Sequence, residues 1–578
     1  MLNNSVKRTT KPRTFIGFGL VLTLVASSVW FVNDSSNSIV NIESEVETKS
    51  YIISAKNYSL LKEKVSALNV VPSHELAIIN ALTVDLSQAQ LALLQQQLPI
   101  KVTTNHKVEI SGGVSQQNGT WTPKSTVNTL IDASAAHNDY NFGDYVTIAF
   151  LDTGLNQLAG LDRNLYGDVK AWGTYDAMNH TFSDYDQDAS GHGTHVASIA
   201  GNRGKDIDGN IYGVAPNASS VGIKAFDAEG KASYADVIRG IGWAVEYKDV
   251  LNIRVLNMSF SGVVRSHYWD DPLNQAVMKA WQSGIVVVAS AGNTGPEPMT
   301  IGVPGNVPYI ITVGAMTDSY TYNDVSDDKI TSFSSAGPTV EGFVKPEIVA
   351  PGGHIAGLMS SDSQIVQSHE FPDGGRYYEM SGTSQAAAVV SGVVALMLTR
   401  DQSLTPDEVK CRLMDSAHAA LDESGELAYS VFQQGAGMVN VADALTSTAS
   451  ACANQELDIA DDLADLKHFS GPANINDKGN FYVEGLDDAY VWELNDSEHD
   501  IASGLDSDAI LWQTNFHDNA IDWRNIASTD AILWQTSIEN ETFIWNPEPD
   551  FGTSAILWQT SIANHSTQIN VNHWVEQQ

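Results

Sequence analysis

The stretch VTIAFLDTG, Val146 to Gly154, decides the fold. Six residues pass without a charge or a proline, and the next is an acid, Asp152, followed by a Thr-Gly turn. A strand with one wet face would alternate apolar and polar side chains. A run that is apolar on both faces is covered on both, as the strands of a parallel sheet are. Four more runs of this kind follow: SSVGIKAF (219–226), RVLNMSF (254–260), IVVVASA (285–291) and YIITVGA (309–315). Helical patterns such as YADVIRGIGWAVEY and PLNQAVMKAWQSG lie between them. Residues 125–450 are therefore predicted to form an α/β domain around a doubly wound, mostly parallel sheet, with functional residues beyond the carboxyl ends of its strands.

Outward from that core, YIISAK at Tyr51 reads as a strand, SLLKEKVSALN as a helix with Leu61, Val65 and Leu68 on one face, and HELAIINALTV as a strand. A second helix is capped by Ser87, and IKVTTNHKVEI reads as a further strand. These make a small α+β unit, assigned to residues 45–111. It ends in GGVSQQNGT from Gly112, a linker suited to cleavage.

The first 32 residues carry Lys7, Arg8, Lys11 and Arg13 ahead of the apolar run Phe15 to Val32. That is the pattern of an export signal, or of a retained membrane anchor at 15–32. The chain is expected to be secreted, with periplasmic or membrane-anchored placement as the alternatives. An exported chain with only two cysteines, Cys411 and Cys452, permits one disulfide or two buried thiols.

The net charge of −38 argues against nucleic acid as a partner, because a polyanion would be repelled. The excess is uneven: residues 453–578 hold 23 acidic against three basic side chains. This acidic extension repeats itself, with DAYVWE at Asp488, DAILWQT at Asp508 and at Asp530, and SAILWQT at Ser554. Units of that length that stack on one another are expected to be β-rich, and could contact a cell surface or a polymer.

Chemistry concentrates in four segments. FLDTG offers Asp152, GHGTH offers His192 and His195, ASAGN offers Asn293, and SGTSQAAAVVSG places Ser384 at a helix start. The two histidines, three apart, could form a metal pair on one helix face. The whole inventory instead fits a triad hydrolase: a carboxylate to orient an imidazole, a base, a weak hydroxyl nucleophile and an amide for the oxyanion. DIDGN, with Asp206, Asp208 and Asn210, alternates oxygen ligands around a glycine as calcium loops do, or is a solvated acidic turn; DYDQD, with Asp184, Asp186 and Asp188, reads the same two ways.

LDTG, GHGTHVASIAG with GVAP, LNMSFSG, AGN with TIGVPG, and SGTSQA resemble the subtilisin-like serine proteases (peptidase family S8) in that family's order of Asp, His, Ser. The wording after Asn293 looks most like the bacterial AprX-type branch. The resemblance implies Asp152, His192 and Ser384 as the triad and Asn293 as oxyanion donor, leaving His195 structural. It implies Gly230, Lys231 and Ala232 on one side of a peptide substrate and Ser259, Phe260 and Ser261 on the other. Gly302 would floor the main specificity pocket, which implies room for large apolar side chains before the cut. No cofactor is needed for that chemistry. Residues 45–111 are similar to the family's inhibitory propeptide, so the partners expected are protein or peptide substrates and the chain's own propeptide. Gln385 and Ala388 stand where the family usually has Met and Pro.

Overall fold

The computed structural model describes residues 48–483 apart from 112, 115–122, 184–186, 322–327, 370, 372–374, 422–426 and 477–479, together with strands at 509–510, 531–534 and 557–558. The export segment at 15–32, Asp184 and Asp186 lie outside the described residues, as does most of the repeat region.

The N-terminal unit comprises β1 (Lys49–Ser54), α1 (Tyr58–Ala67), β2 (His74–Leu76), β3 (Ala81–Leu86), α2 (Gln88–Gln97) and β4 (Lys101–Thr104), in an antiparallel sheet of order β2-β3-β1-β4. Leu61 and Val65 of α1 and Leu91 and Leu94 of α2 bury themselves with Ile53, Leu82 and Val84 in a core of their own. Ser87 caps α2 through a reciprocal pair with Gln90. Two stretches expected as single strands are broken. HELAIINALTV divides at a short 3₁₀ turn, Ala77–Ile79, closed by Asn80 in the left-handed region (φ 52°). IKVTTNHKVEI divides at Asn105 and His106, and its second half, β5 (Lys107–Ile110), joins another sheet together with the strands Lys231–Ser233 and Phe260–Ser261. Asn105 makes the break: its N–H stays with Ser50 O of the first sheet, while its side-chain oxygen accepts from Ala235 N–H across the interface.

After β6 (Gly113–Val114) the chain enters the large domain with β7 (Thr147–Asp152), β8 (Ala171–Asp176), β9 (Thr181–Ser183), β10 (Ser219–Lys224), β11 (Lys231–Ser233), β12 (Ile253–Met258), β13 (Phe260–Ser261), β14 (Val286–Ser290), β15 (Ile311–Thr317), β16 (Lys329–Ile330) and β17 (Ile348–Pro351). Its central sheet runs β16-β15-β14-β12-β7-β10-β8-β9, with β17 also on β15; only the β8–β9 and β15–β16 pairs are antiparallel. Every one of the five apolar runs is a strand of this sheet, and β7 lies between β10 and β12 with all six residues buried. β8 does not stand out as an apolar run because Gly173, Thr174 and Asp176 interrupt it, although all three are buried. A hairpin of β18 (Ile355–Leu358) and β19 (Tyr377–Ser381) leads into helix Thr383–Arg400, which is apolar all round and almost wholly buried among the sheet strands.

Cys411 and Cys452 form a disulfide. Beyond it, residues that composition assigns to the acidic extension pack on the large domain. Helix Ile459–Ala464 seats against helix Pro272–Gln282, and β20 (Ala473–Ile475) pairs with β21 (Phe481–Val483), which shares a small core with Phe432 and Met299. One buried carboxylate fixes this segment: Asp462 accepts from Tyr268 OH (2.7 Å) and Tyr309 OH (2.6 Å) and meets His468 Nδ1 (2.9 Å). In the repeat region Ala509 lies opposite Ala531, and Leu533 and Trp534 lie opposite Leu557 and Trp558, all in parallel. That register sets equivalent positions of successive repeats side by side.

Burying two tyrosine hydroxyls and leaving them unpaired is costly. Asp462→Ala is expected to lower the unfolding free energy by about 2–4 kcal/mol in a denaturant titration, while kcat on a small peptide stays within about twofold of the parent.

Candidate active site

Asp152 closes β7 and is fully buried, at the carboxyl edge of the sheet where strand ends leave room for a cleft. Its Oδ1 accepts from Thr153 N–H and lies 2.7 Å from His192 Nδ1. His192 opens helix His192–Gly201. The approach needs glycine next door, because a Cβ on Gly193 would collide with Gly154 O and press on Asp152 Cβ.

A residue absent from the sequence reading's catalytic set holds this pair in place. Asp188 is buried, and its four lone-pair positions are all filled: Oδ1 by Thr153 Oγ1 (2.8 Å) and Gly191 N–H (2.8 Å), Oδ2 by Thr194 N–H (2.8 Å) and Thr194 Oγ1 (2.6 Å). It thus ties the turn after Asp152 to the first turn of the His192 helix. Burial pushes its carboxyl above the usual range despite those hydrogen bonds. In DIDGN, Asp206 Oδ1 accepts from Asp208 and Asn210 N–H and Oδ2 from Ser125 N–H and Asn210 Nδ2. Burial alone would raise the Asp206 carboxyl, but these donors hold it below its ordinary value. Asp208 turns outward to Lys124 (3.5 Å). The Asp206 carboxylate is thus engaged within and beside its own turn, and no group of three or more His, Cys, Asp or Glu able to hold a metal occurs among the described residues.

His195 sits a turn further along, fully buried. Its Nε2 faces Tyr378 O (3.0 Å), which requires a proton there, and its Nδ1 faces Gln385 Nε2 (3.5 Å). Burial drives its pKa down to about 3, so it stays neutral. The two imidazoles therefore have separate tasks: one is engaged by a carboxylate, the other pins β19 to the helix. Gln385, beside Ser384, belongs to that second contact.

Ser384 is the second residue of its helix, and its amide lies in the first turn, where N–H groups have no partner inside the helix. Asn293 is joined to it through Thr383, whose N–H (3.0 Å) and Oγ1 (2.8 Å) both donate to Asn293 Oδ1. With the oxygen so occupied, the amide nitrogen is left as the outward donor.

The cleft is filled by the chain itself. β5 lies antiparallel between β11 and β13, with Lys231 opposite Glu109, Ala232 opposite Val108 and Phe260 opposite Ile110. Ile110 N–H donates to Gly230 O and Ser111 N–H to Ser259 O, so all six residues expected on the two sides of a substrate flank this segment. Ser384 Oγ donates to the carbonyl oxygen of Ser111 and lies 3.0 Å from Ser259 O. His192 Nε2 is buried with no hydrogen-bond partner. Past the cleft, Gly113 and Val114 pair with Ser381 and Met380 of β19.

Residues 143–437 match the subtilase family model, Peptidase_S8. The chain is 37% identical over 328 residues to serine protease AprX of Bacillus subtilis, covering 55% of this chain and 71% of that one. It is 32% identical over 313 residues to subtilisin E of the same organism, covering 54% and 68%. Among solved structures it is similar to fervidolysin from Fervidobacterium pennivorans, with a TM-score of 0.55 at 21% identity, over 71% of this chain and 62% of that one.

His192→Ala is expected to abolish peptide hydrolysis. His195→Ala should instead lower stability by about 2–3 kcal/mol, and the folded fraction should still take a fluorophosphonate on Ser384. Asn293→Ala should cost on the order of a hundred- to a thousandfold in kcat, the scale set by oxyanion donors in a subtilisin; steady-state kinetics on one peptide checks His192→Ala and Asn293→Ala, and a denaturant titration with fluorophosphonate labelling checks His195→Ala.

Proposed function

The chain belongs to the subtilase family of serine peptidases, and we propose that it is an exported endopeptidase made as a precursor, which residues 48–111 inhibit until the bond after Ser111 is cut. The observation that carries the reading is the contact of Ser384 Oγ with the carbonyl of Ser111, at the end of a strand laid across the cleft as a substrate would be. The basic and apolar residues of 1–32 support export.

The chemistry follows from the groups in place. Ser384 must turn its hydroxyl from Ser259 O and Ser111 O toward His192 Nε2, the one ring nitrogen still free to accept. His192 then takes the proton as Oγ bonds to the carbonyl carbon, and Asp152 stabilises the imidazolium through Nδ1. Negative charge develops on the former carbonyl oxygen, where Asn293 Nδ2 and the Ser384 N–H are the available donors. Collapse breaks the peptide bond, and His192 returns its proton to the leaving amine. Water repeats the sequence on the acyl-enzyme and frees Ser384.

Inhibition needs no further element. The N-terminal unit packs β2 on helix Tyr234–Leu251 and its 3₁₀ turn on helix Pro272–Gln282, while His74 meets Asp236 (3.2 Å) and Lys101 meets Asp270 (2.8 Å). For the repeats from Asp488 onward we propose contact with a polymer or cell surface.

The purified wild-type protein is expected to begin at Gly112 when its N-terminus is determined by mass spectrometry. Ser384→Ala should remain joined through residues 111–112 and be silent toward fluorophosphonate. A mature N-terminus at Gly112 in Ser384→Ala, with no other protease present, would refute self-processing.

A further inference from the structure

We infer that the pocket next to the nucleophile accepts only small side chains, because Ser261 fills the space that its glycines would otherwise leave open. The inference rests on the reading of Ser111 as the residue before the cut (P1).

Three backbone segments wall this pocket. Gly262 and Val303 exchange hydrogen bonds at 2.8 Å each way, and Gly302 N–H donates to Ala291 O at 3.3 Å, which locks 259–262, 291–293 and 302–303 together. Successive side chains of a strand alternate between faces, and directly opposed residues share one. Ser259 lies opposite Ser111, so Ser261, two residues on, shares the Ser111 face. A Cβ on Gly302 would collide with Ser261 Oγ and lie 2.5 Å from Gly262 O. A Cβ on Gly292 would lie 2.9 Å from Ser261 Oγ and 2.9 Å from Ser335 Oγ. The gap between the two glycines is thus occupied by one hydroxyl and bordered by another. An aromatic or long aliphatic side chain would have to expel the first and bury itself against both. This replaces the expectation, drawn from Gly302, of large apolar side chains there.

Affinity is shifted along the strand instead. Val108, 2% exposed, packs on the Gly262 backbone, where a Cβ would lie 2.7 Å from Val108 Cγ1. Ile110 covers Gly230 in the same way, at 2.6 Å. The substrate class is a segment with Ser, Ala or Gly at P1 and branched aliphatic residues at P2 and P4.

Fluorogenic amides of acyl-Val-Glu-Ile-Xaa, with Xaa Ser, Ala, Leu or Phe, test this on the mature enzyme. Ser and Ala should exceed Phe by about tenfold or more in kcat/KM, and Ser261→Gly should raise Phe relative to Ala by a similar factor. In the precursor, Ser111→Phe should slow the first cut about tenfold, whereas Ser111→Ala should leave it within about twofold. Phe equal to or ahead of Ala in the parent, an unchanged ratio in Ser261→Gly, or equal processing of the two precursors would overturn the inference alone. Hydrolysis of none of the four amides, with no fluorophosphonate on Ser384, would overturn the peptidase reading and this inference with it.

Discussion

A carboxylate buried at the end of the central strand has to be paired, and the site is arranged around that requirement. Asp152 has no exposure at all, and an isolated charge in such a place would be several kcal/mol uphill. Its position is not adjustable, because β7 is hydrogen-bonded on both edges, to β10 and to β12. The imidazole must therefore come to the acid. Gly193 allows the helix to come close enough, and Asp188 holds that helix to the turn after Asp152 through two threonines and two backbone amides.

The opposite side of the cleft follows the same logic with neutral groups. Asn293 presents its nitrogen only because Thr383 consumes its oxygen, and Thr383 is the neighbour of the nucleophile it serves. Asn293 and Ser384 are thus tied together through one residue. Thr383 Oγ1 also accepts from Gly292 N–H, which carries the link back into the strand end that bears Asn293. Preorganisation of this kind is worth most in a dry site, where each dipole acts at low dielectric and needs no reorientation during the reaction.

Much of this was legible in the residues. The five apolar runs specify the buried parallel strands by themselves, and Asp152, His192, Asn293 and Ser384 each stand at a strand end or helix start. Other features were not, for identifiable reasons. Asp188 sits among three alternating acids, and only burial distinguishes a carboxylate that organises hydroxyls from one that faces water. The split between β4 and β5 depends on Asn105 reaching a helix start 130 positions away, which no local pattern encodes. Residues 458–483 read as extension because their composition is acidic, yet Asp462 is acidic precisely where two tyrosines need an acceptor. Gly302 suggested space because glycine removes a side chain. Whether that space stays empty is decided by Ser261, 41 positions earlier and across the pocket.

The strand across the cleft bears on how such a precursor would be relieved. Cutting the bond after Ser111 removes the covalent tie to residues 112 onward but none of the ladder bonds to 230–233 and 259–261. It also leaves the N-terminal unit docked on two helices of the large domain, with β5 still attached to it. The unit and the strand are then two contacts on one chain, so each raises the effective concentration of the other at its site by orders of magnitude over free solution. Release by dissociation should be slow for that reason, and proteolysis of the N-terminal unit is the step that would remove both contacts at once. Beyond that bond, the described residues of the linker at 112–125 are held at both ends: Gly113 and Val114 pair with β19, Tyr212 OH donates to Pro123 O, and Ser125 N–H donates to Asp206 Oδ2. On the reading of residues 48–111 as an inhibitor, the ladder that β5 makes with 230–233 and 259–261 is the contact that would set how long inhibition lasts.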